Sequence, residues 1–219
     1  MIKAILYDMD GTILDTMPLY DLGWKKADEV FGYNGRAAAL IAPCAGMTSA
    51  QVAASLRAEL GADFPAEDYL KKLFEAFEVE INARGVSCKK GAEDIFAAAR
   101  KIGARQVLCT SSTADHVKPY LKMAGIDGVF DAVITGDMVK RSKPAPDIFL
   151  MGAEAVGCAP EECIVVEDAA NGVRAGLAAG IRVAMIPEYP PVPEDIRERL
   201  WHECADLSEL AELVLAESV

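Results

Sequence analysis

Five short apolar runs punctuate the chain: Ile2–Tyr7, Gln106–Cys109, Ala132–Thr135, Cys163–Val166 and Arg182–Ile186. Each is rich in Val, Ile or Leu and bounded by polar or glycine turns, the mark of a buried strand. Helical patterns fill the spaces between them: Glu93–Lys101, Ala114–Met123, Pro146–Val156 and Gly172–Ala179. Gly103, Gly125, Gly157 and Gly180 follow these in turn, and a glycine there supplies the left-handed residue that closes a helix. Strand–helix alternation with short loops predicts an α/β fold, a Rossmann-like parallel sheet with helices on both faces.

One region breaks the alternation. From Thr16 to Gly85 the pattern is helical, with no strand. Pro18 suits the first turn of a helix that runs to Phe31 and stops at Gly32. A second, Ala50–Leu60, stops at Gly61. Pro65 opens a third, with Glu67 and Asp68 where the helix dipole favours negative charge and Leu70, Leu73, Phe74 and Phe77 on one face. The expected organisation is a catalytic core of residues 1–15 and 86–219, with an all-helical cap of residues 16–85 inserted after the first strand. The crossings near Asp15–Thr16 and Gly85–Gly91 are the expected hinges.

Composition narrows the classes. With 219 residues, 52% of them hydrophobic, the chain can bury a core with an insertion. A formal charge of −12 argues against nucleic acid or an anionic membrane as partner, since both are bound largely through Lys and Arg. It leaves room for an anionic small molecule, which needs only a local positive site. Ile2–Tyr7 is too short for a signal core, and no apolar stretch could span a bilayer. Cys44, Cys88, Cys109, Cys158, Cys163 and Cys204 are scattered, with only His116 and His202 besides, which fits free thiols in a reducing cytoplasm better than a zinc site.

Candidate chemistry sits where strands end. Asp8-Met9-Asp10-Gly11-Thr12 follows the first strand directly. In an open α/β sheet ligands bind at that end, and two carboxylates there repel unless a cation or proton separates them. A calcium loop is excluded, because Ile13 occupies its sixth position, where glycine is required. Thr110-Ser111-Ser112 follows the second strand. Lys143-Pro144 lies in a loop further on, and Glu167-Asp168 follows Ile164-Val165-Val166, ahead of Asn171-Gly172. Singly these read as a helix cap, a solvated lysine and a solvated acidic face. Together, in this order, they supply one pocket with a nucleophile, hydroxyl donors, a cation and metal ligands.

With these motifs the chain resembles the haloacid dehalogenase superfamily over nearly its whole length. It looks like the subgroup with a helical cap inserted after the first motif, which includes β-phosphoglucomutase and many sugar-phosphate phosphatases. The resemblance implies a Mg²⁺-dependent phosphatase acting on small phosphorylated metabolites, sugar phosphates foremost. Asp8 would be the nucleophile, ionised at its reference pKa of about 3.9, and would form an aspartyl-phosphate. Asp10 would be the general acid–base, which requires that the site raise its pKa. Asp8, the backbone carbonyl of Asp10, and Asp168 would hold Mg²⁺ directly, with Glu167 acting through water. Thr110 (hydroxyl), Ser111 (backbone N–H) and Lys143 would bind phosphate. Gly11 would allow a sharp turn beside the nucleophile.

An acid at position 10 fits phosphate esters better than the dehalogenase or phosphonate-cleaving branches. A mutase is the rival. Its pattern would place His where Tyr20 stands and Arg where Ser49 stands, and losing a cap cation weakens the case for a second phosphate. In the cap, Tyr20, Gly46, Thr48 and Ser49 are the candidate substrate-facing residues. Thr48 and Ser49 serve equally as a helix N-cap, while Trp24 and Tyr69 read as cap core and Lys71 and Lys72 as solvated surface. A receiver-like phospho-acceptor domain is the non-enzyme alternative. It is opposed by Asp10, the helical insertion and the late position of Glu167-Asp168. The expected assembly is a monomer, with an oligomer left open, and the tail 187–219 is expected to pack on the core without chemistry.

Overall fold

The computed structural model describes residues 1–189 and 192–217. Its centre is a six-stranded parallel sheet of β1 (Ala4–Tyr7), β2 (Arg105–Cys109), β3 (Ala132–Ile134), β4 (Cys163–Glu167), β5 (Arg182–Met185) and β6 (His202–Glu203). Their spatial order is β3-β2-β1-β4-β5-β6, and every neighbouring pair is parallel. β1 is therefore central, flanked by β2 and β4, and the three motif-bearing strand ends lie side by side. The burial of β1 and β4 along their whole length matches their continuous apolar sequences, because helices cover both faces.

Four long helices flank the sheet from the core segments: α5 (Ala92–Ile102), α6 (Ala114–Met123), α7 (Asp147–Ala155) and α8 (Ala170–Ala178). The glycines after them all have positive φ, between 68° and 72°, as the closing pattern requires. Residues of both sheet faces are buried in two apolar clusters, one around Tyr7, Phe96 and Leu108, the other around Leu6, Phe149 and Val165. The tail adds a short helix α9 (Glu194–Arg197), β6, and α10 (Leu207–Ala216), which lies along α5. A two-residue strand has no periodicity to read, so the sequence gives helical patterns there and no sixth strand.

Between β1 and α5 the chain is all helical, as expected: α1 (Met17–Phe31), α2 (Ile41–Cys44), α3 (Ser49–Leu60) and α4 (Ala66–Arg84). These helices carry their own apolar cluster of Trp24, Leu56, Phe64, Tyr69, Leu70 and Leu73. Trp24 and Tyr69 are cap core. The Tyr69 hydroxyl donates to the buried carboxylate of Asp28 (2.9 Å), a polar pair satisfied inside the apolar cluster. Lys71 is exposed and Lys72 pairs with Glu75 on the surface. The two crossings run side by side. Leu14 forms an antiparallel bridge with Cys88, Asp15 N–H donates to Ser87 O, and Lys89 N–H donates to Ile13 O. No helix is long and apolar enough to cross a membrane among the described residues.

Candidate active site

Four chain segments meet at the carboxyl edge of the sheet. Asp8 leaves β1, and its backbone N–H donates to Val166 of β4. Lys143 comes from the loop before α7, 135 positions away in sequence. Its Nζ lies 2.5 Å from Asp8 Oδ1, 2.6 Å from Glu167 Oε1 and 3.1 Å from the carbonyl of Cys109. The ammonium also sits 5.0 Å from the Phe149 ring centroid. Asp8, Lys143, Glu167 and Asp168 are all buried. A surface lysine between exposed acids would be worth little, but buried charges of this kind persist only when paired and hydrogen-bonded. Burial alone would lower the lysine pKa. The carboxylates on either side overcome this and raise it, so the side chain stays charged.

The acids are shaped by the same environment. Burial pushes the Asp8 carboxyl up, with Glu167 and Asp10 adding to the shift and Lys143 opposing it, to about 8. Burial takes away the water that would stabilise the Asp8 carboxylate, and cationic partners must replace it. Asp168 is raised too, by burial and by its carboxylate neighbours Glu167 and Asp8. Asp10 is raised by burial as well, against hydrogen bonds that favour its ionised form. Those bonds come from Thr16 Oγ1 (2.9 Å) and Ser112 Oγ (2.8 Å), each on a different oxygen. Both oxygens of the Asp10 carboxylate are thereby engaged by hydroxyls.

Carboxylate oxygens of Asp8, Glu167 and Asp168 lie within 4.8 Å of one another. One lysine does not balance three buried carboxylates, and all the donors are hard oxygens. That set fits Mg²⁺, a small cation that prefers carboxylates and water. The Asp10 side chain is outside this group.

Close packing fixes the acids further. Gly11 has φ +79°, and a Cβ there would stand 2.4 Å from Asp168 Oδ2. Thr12 Oγ1 donates to Asp168 Oδ1 (3.1 Å). A Cβ on Gly172 would fall 1.7 Å from Glu167 Oε1. The other Glu167 oxygen accepts the N–H groups of Asp168 (3.1 Å) and Ala169 (3.3 Å). Thr110 is buried and its hydroxyl accepts from Ser112 N–H (3.0 Å).

The cap loop between α2 and α3 is seated on this edge. Gly46 O accepts from Ser111 Oγ (2.9 Å), Ala45 O from Asn171 Nδ2 (3.2 Å), and Lys143 O from Gln51 Nε2 (2.8 Å). Of the candidate cap residues, Thr48 is the N-cap of α3, in a reciprocal capping box with Gln51. Ser49 is exposed in the first turn of that helix. Gly46 lies against Ala169, and Tyr20 stacks on Phe77 with ring centroids 4.3 Å apart. Sequence reasoning named Ser112 and Asn171 only within their motif clusters, without a role, and gave Thr16 and Gln51 no part in the site. Thr16 stands at the N-cap of α1 yet makes no side-chain cap bond, because its hydroxyl is spent on Asp10.

Comparison with known proteins agrees with this geometry. Residues 2–180 match the model of the haloacid dehalogenase-like hydrolases, and the chain belongs to that family. Hexitol phosphatase A of Escherichia coli (strain K12) is 33% identical over 195 residues, covering 84% of this chain and 82% of the relative. Phosphoglycolate phosphatase of Escherichia coli O157:H7 is 32% identical over 198 residues, covering 82% of this chain and 79% of that protein. The crystal structure of CbbY from Rhodobacter sphaeroides in complex with phosphate superposes with a TM-score of 0.75 at 25% identity, covering 96% of both chains. The chain is therefore read as a hydrolase and not as a receiver-like signalling domain.

Proposed function

We propose that this hydrolase is a Mg²⁺-dependent phosphatase that removes phosphate from monoesters of small metabolites, sugar and sugar-alcohol phosphates foremost, through an aspartyl-phosphate on Asp8. The observation that carries the reading is the buried Lys143 ammonium between Asp8 and Glu167, with Asp168 adjoining and Asp10 held by two hydroxyls. Residues 1–15 and 86–219 form the catalytic core in this reading, and residues 16–85 the cap.

Asp8 attacks phosphorus while Asp10 gives its proton to the leaving alkoxide. Asp10 then takes a proton from the water that cleaves the aspartyl-phosphate, which returns both acids to their starting state. Lys143, the Thr110 hydroxyl and the Ser111 N–H bind the phosphoryl oxygens, and Lys143 also offsets the charge of Asp8. Asp8, Asp168 and the Asp10 carbonyl would hold Mg²⁺, with Glu167 acting through water because Lys143 and two backbone N–H groups already engage its oxygens. The ion supplies positive charge that lets an anionic nucleophile approach an anionic ester. The absence of a cation among Tyr20, Gly46, Thr48 and Ser49 favours a substrate with one phosphate over a bisphosphate.

The test is phosphate release from a panel of sugar phosphates, sugar-alcohol phosphates and phosphoglycolate, with Mg²⁺ or EDTA, for wild type and Asp8→Asn. Release that needs Mg²⁺ and disappears in Asp8→Asn is the expected result. Conversion of β-glucose 1-phosphate, with its bisphosphate activator, to glucose 6-phosphate with little free phosphate would make the protein a mutase instead.

A further inference from the structure

The side-chain amide of Gln51 is committed at both ends. Its oxygen accepts from Thr48 N–H (2.8 Å) and from Thr48 Oγ1 (3.0 Å), both in the cap. Its nitrogen crosses to the core and donates to the backbone carbonyl of Lys143 (2.8 Å). The capping box therefore fixes which way the amide faces: with oxygen held by two cap donors, only the N–H₂ can meet the core. The residue it meets carries the ammonium that bridges Asp8 and Glu167.

The two neighbouring bonds differ in kind. Ser111 and Asn171 reach from core side chains to cap carbonyls. Gln51 reaches from a cap side chain to the main chain of the lysine itself. We infer that Gln51 is a positioning residue, through which seating of the cap fixes the backbone of Lys143 and so the placement of its ammonium between Asp8 and Glu167. The cap then does more than cover the site, because a part of the catalytic geometry is completed only when α3 is docked. The inference rests on the phosphatase reading above.

Gln51→Glu separates the two ends of the amide. A glutamate at this third helical position still accepts from Thr48, and its charge suits a helix N-terminus. It cannot donate to Lys143 O when ionised and sets a carboxylate against a carbonyl. Gln51→Leu removes both ends. The measurement is Mg²⁺-dependent hydrolysis of p-nitrophenyl phosphate, with kcat and KM resolved, alongside thermal unfolding. Loss of one such bond in the reacting complex corresponds to about a tenfold fall in kcat. The expected result is that fall in both variants, with KM within about twofold and with the melting temperature lowered in Gln51→Leu alone. Wild-type kcat in Gln51→Glu would overturn the proposal. So would activity that merely tracks thermal stability across the two variants. Failure of the wild type itself to release phosphate from any ester would overturn the phosphatase reading first, and would be seen before either variant is made.

Discussion

The catalytic centre and the cap loop above it are both polar, and they are held in opposite ways. In the centre, Asp8, Lys143, Glu167 and Asp168 are buried, and charge stands against charge at 2.5–2.6 Å. The cap loop and the first turn of α3, residues 45–51, are half-buried or exposed, and they meet the core through neutral hydrogen bonds of 2.8–3.2 Å. Buried charges cannot exchange their partners for water without a large cost, whereas an amide–carbonyl bond at a partly wet boundary nets only about 0.5–1.5 kcal/mol. The centre is therefore built to keep one geometry. The contacts of the cap loop are of a kind that can break and re-form at small cost, which suits the cap role proposed for it.

Lys143→Met attacks the centre at its most dependent point. It leaves Asp8 and Glu167 buried and uncompensated, so kcat for phosphate release should fall by roughly 10³-fold, and stability by about 3 kcal/mol in the absence of Mg²⁺. Steady-state assays and chemical unfolding with and without Mg²⁺ check both. A variant with near-normal activity would mean that the ammonium is structural only, and the contrast between the two regions would fail. A matched pair of glycines tests the contrast more gently. In Gly172→Ala the new methyl would overlap Glu167, standing 1.7 Å from Oε1. In Gly46→Ala it would meet Ala169 Cβ at 3.3 Å and other atoms no nearer than 3.9 Å, with a φ of +73° that costs about 1–2 kcal/mol in a non-glycine residue. The core change should lower kcat by about 10²-fold through displacement of Glu167, and the cap change by no more than a few-fold. The reverse order would place the rigid geometry in the cap.

The same difference decided what could be read from the sequence. Asp8, Lys143 and Glu167-Asp168 stand next to apolar strands or in a motif loop, and a parallel sheet brings strand ends together whatever their distance along the chain. That is why residues 135 positions apart could be assigned to one pocket. The helical insertion was legible for a similar reason, since its apolar spacing and its stop glycines are local. What stayed hidden depends on how surfaces meet. Gln51 looks like any N3 residue until α3 is docked on the Lys143 loop. Ser112 looks like a helix cap until its hydroxyl is seen on Asp10. The pair His202–Glu203 becomes a strand only because β5 offers it an edge.

A further bond between the regions, away from the cap loop, should show the smallest effect. The Tyr120 hydroxyl, on α6, donates to Glu78 Oε1, on α4, at 2.6 Å. Burial raises the tyrosine pKa, and the neighbouring carboxylate raises it further, so the phenol remains protonated and a donor throughout the working pH range. Around it lie ring contacts: Phe77 is 6.0 Å from the Tyr120 ring, His116 stacks on that ring at 6.0 Å, and Tyr20 stacks on Phe77. Tyr120→Phe keeps this packing and deletes only the donor. A hydrogen bond to a charged group contributes more than a neutral one, but Glu78 is only half-buried and water can replace the lost partner. The expected change is therefore about threefold in kcat/KM. If the bond forms only with the cap seated, its loss shifts the balance toward an open cap and leaves the core's own stability intact. Kinetics and thermal unfolding of Tyr120→Phe, with the substrate ranking repeated, distinguish the cases. A small loss of kcat/KM at an unchanged melting temperature would assign this contact to the lid. A lower melting temperature with wild-type kinetics would assign it to the permanent core, moving the boundary between rigid and exchangeable contacts outward to include the inner end of α4.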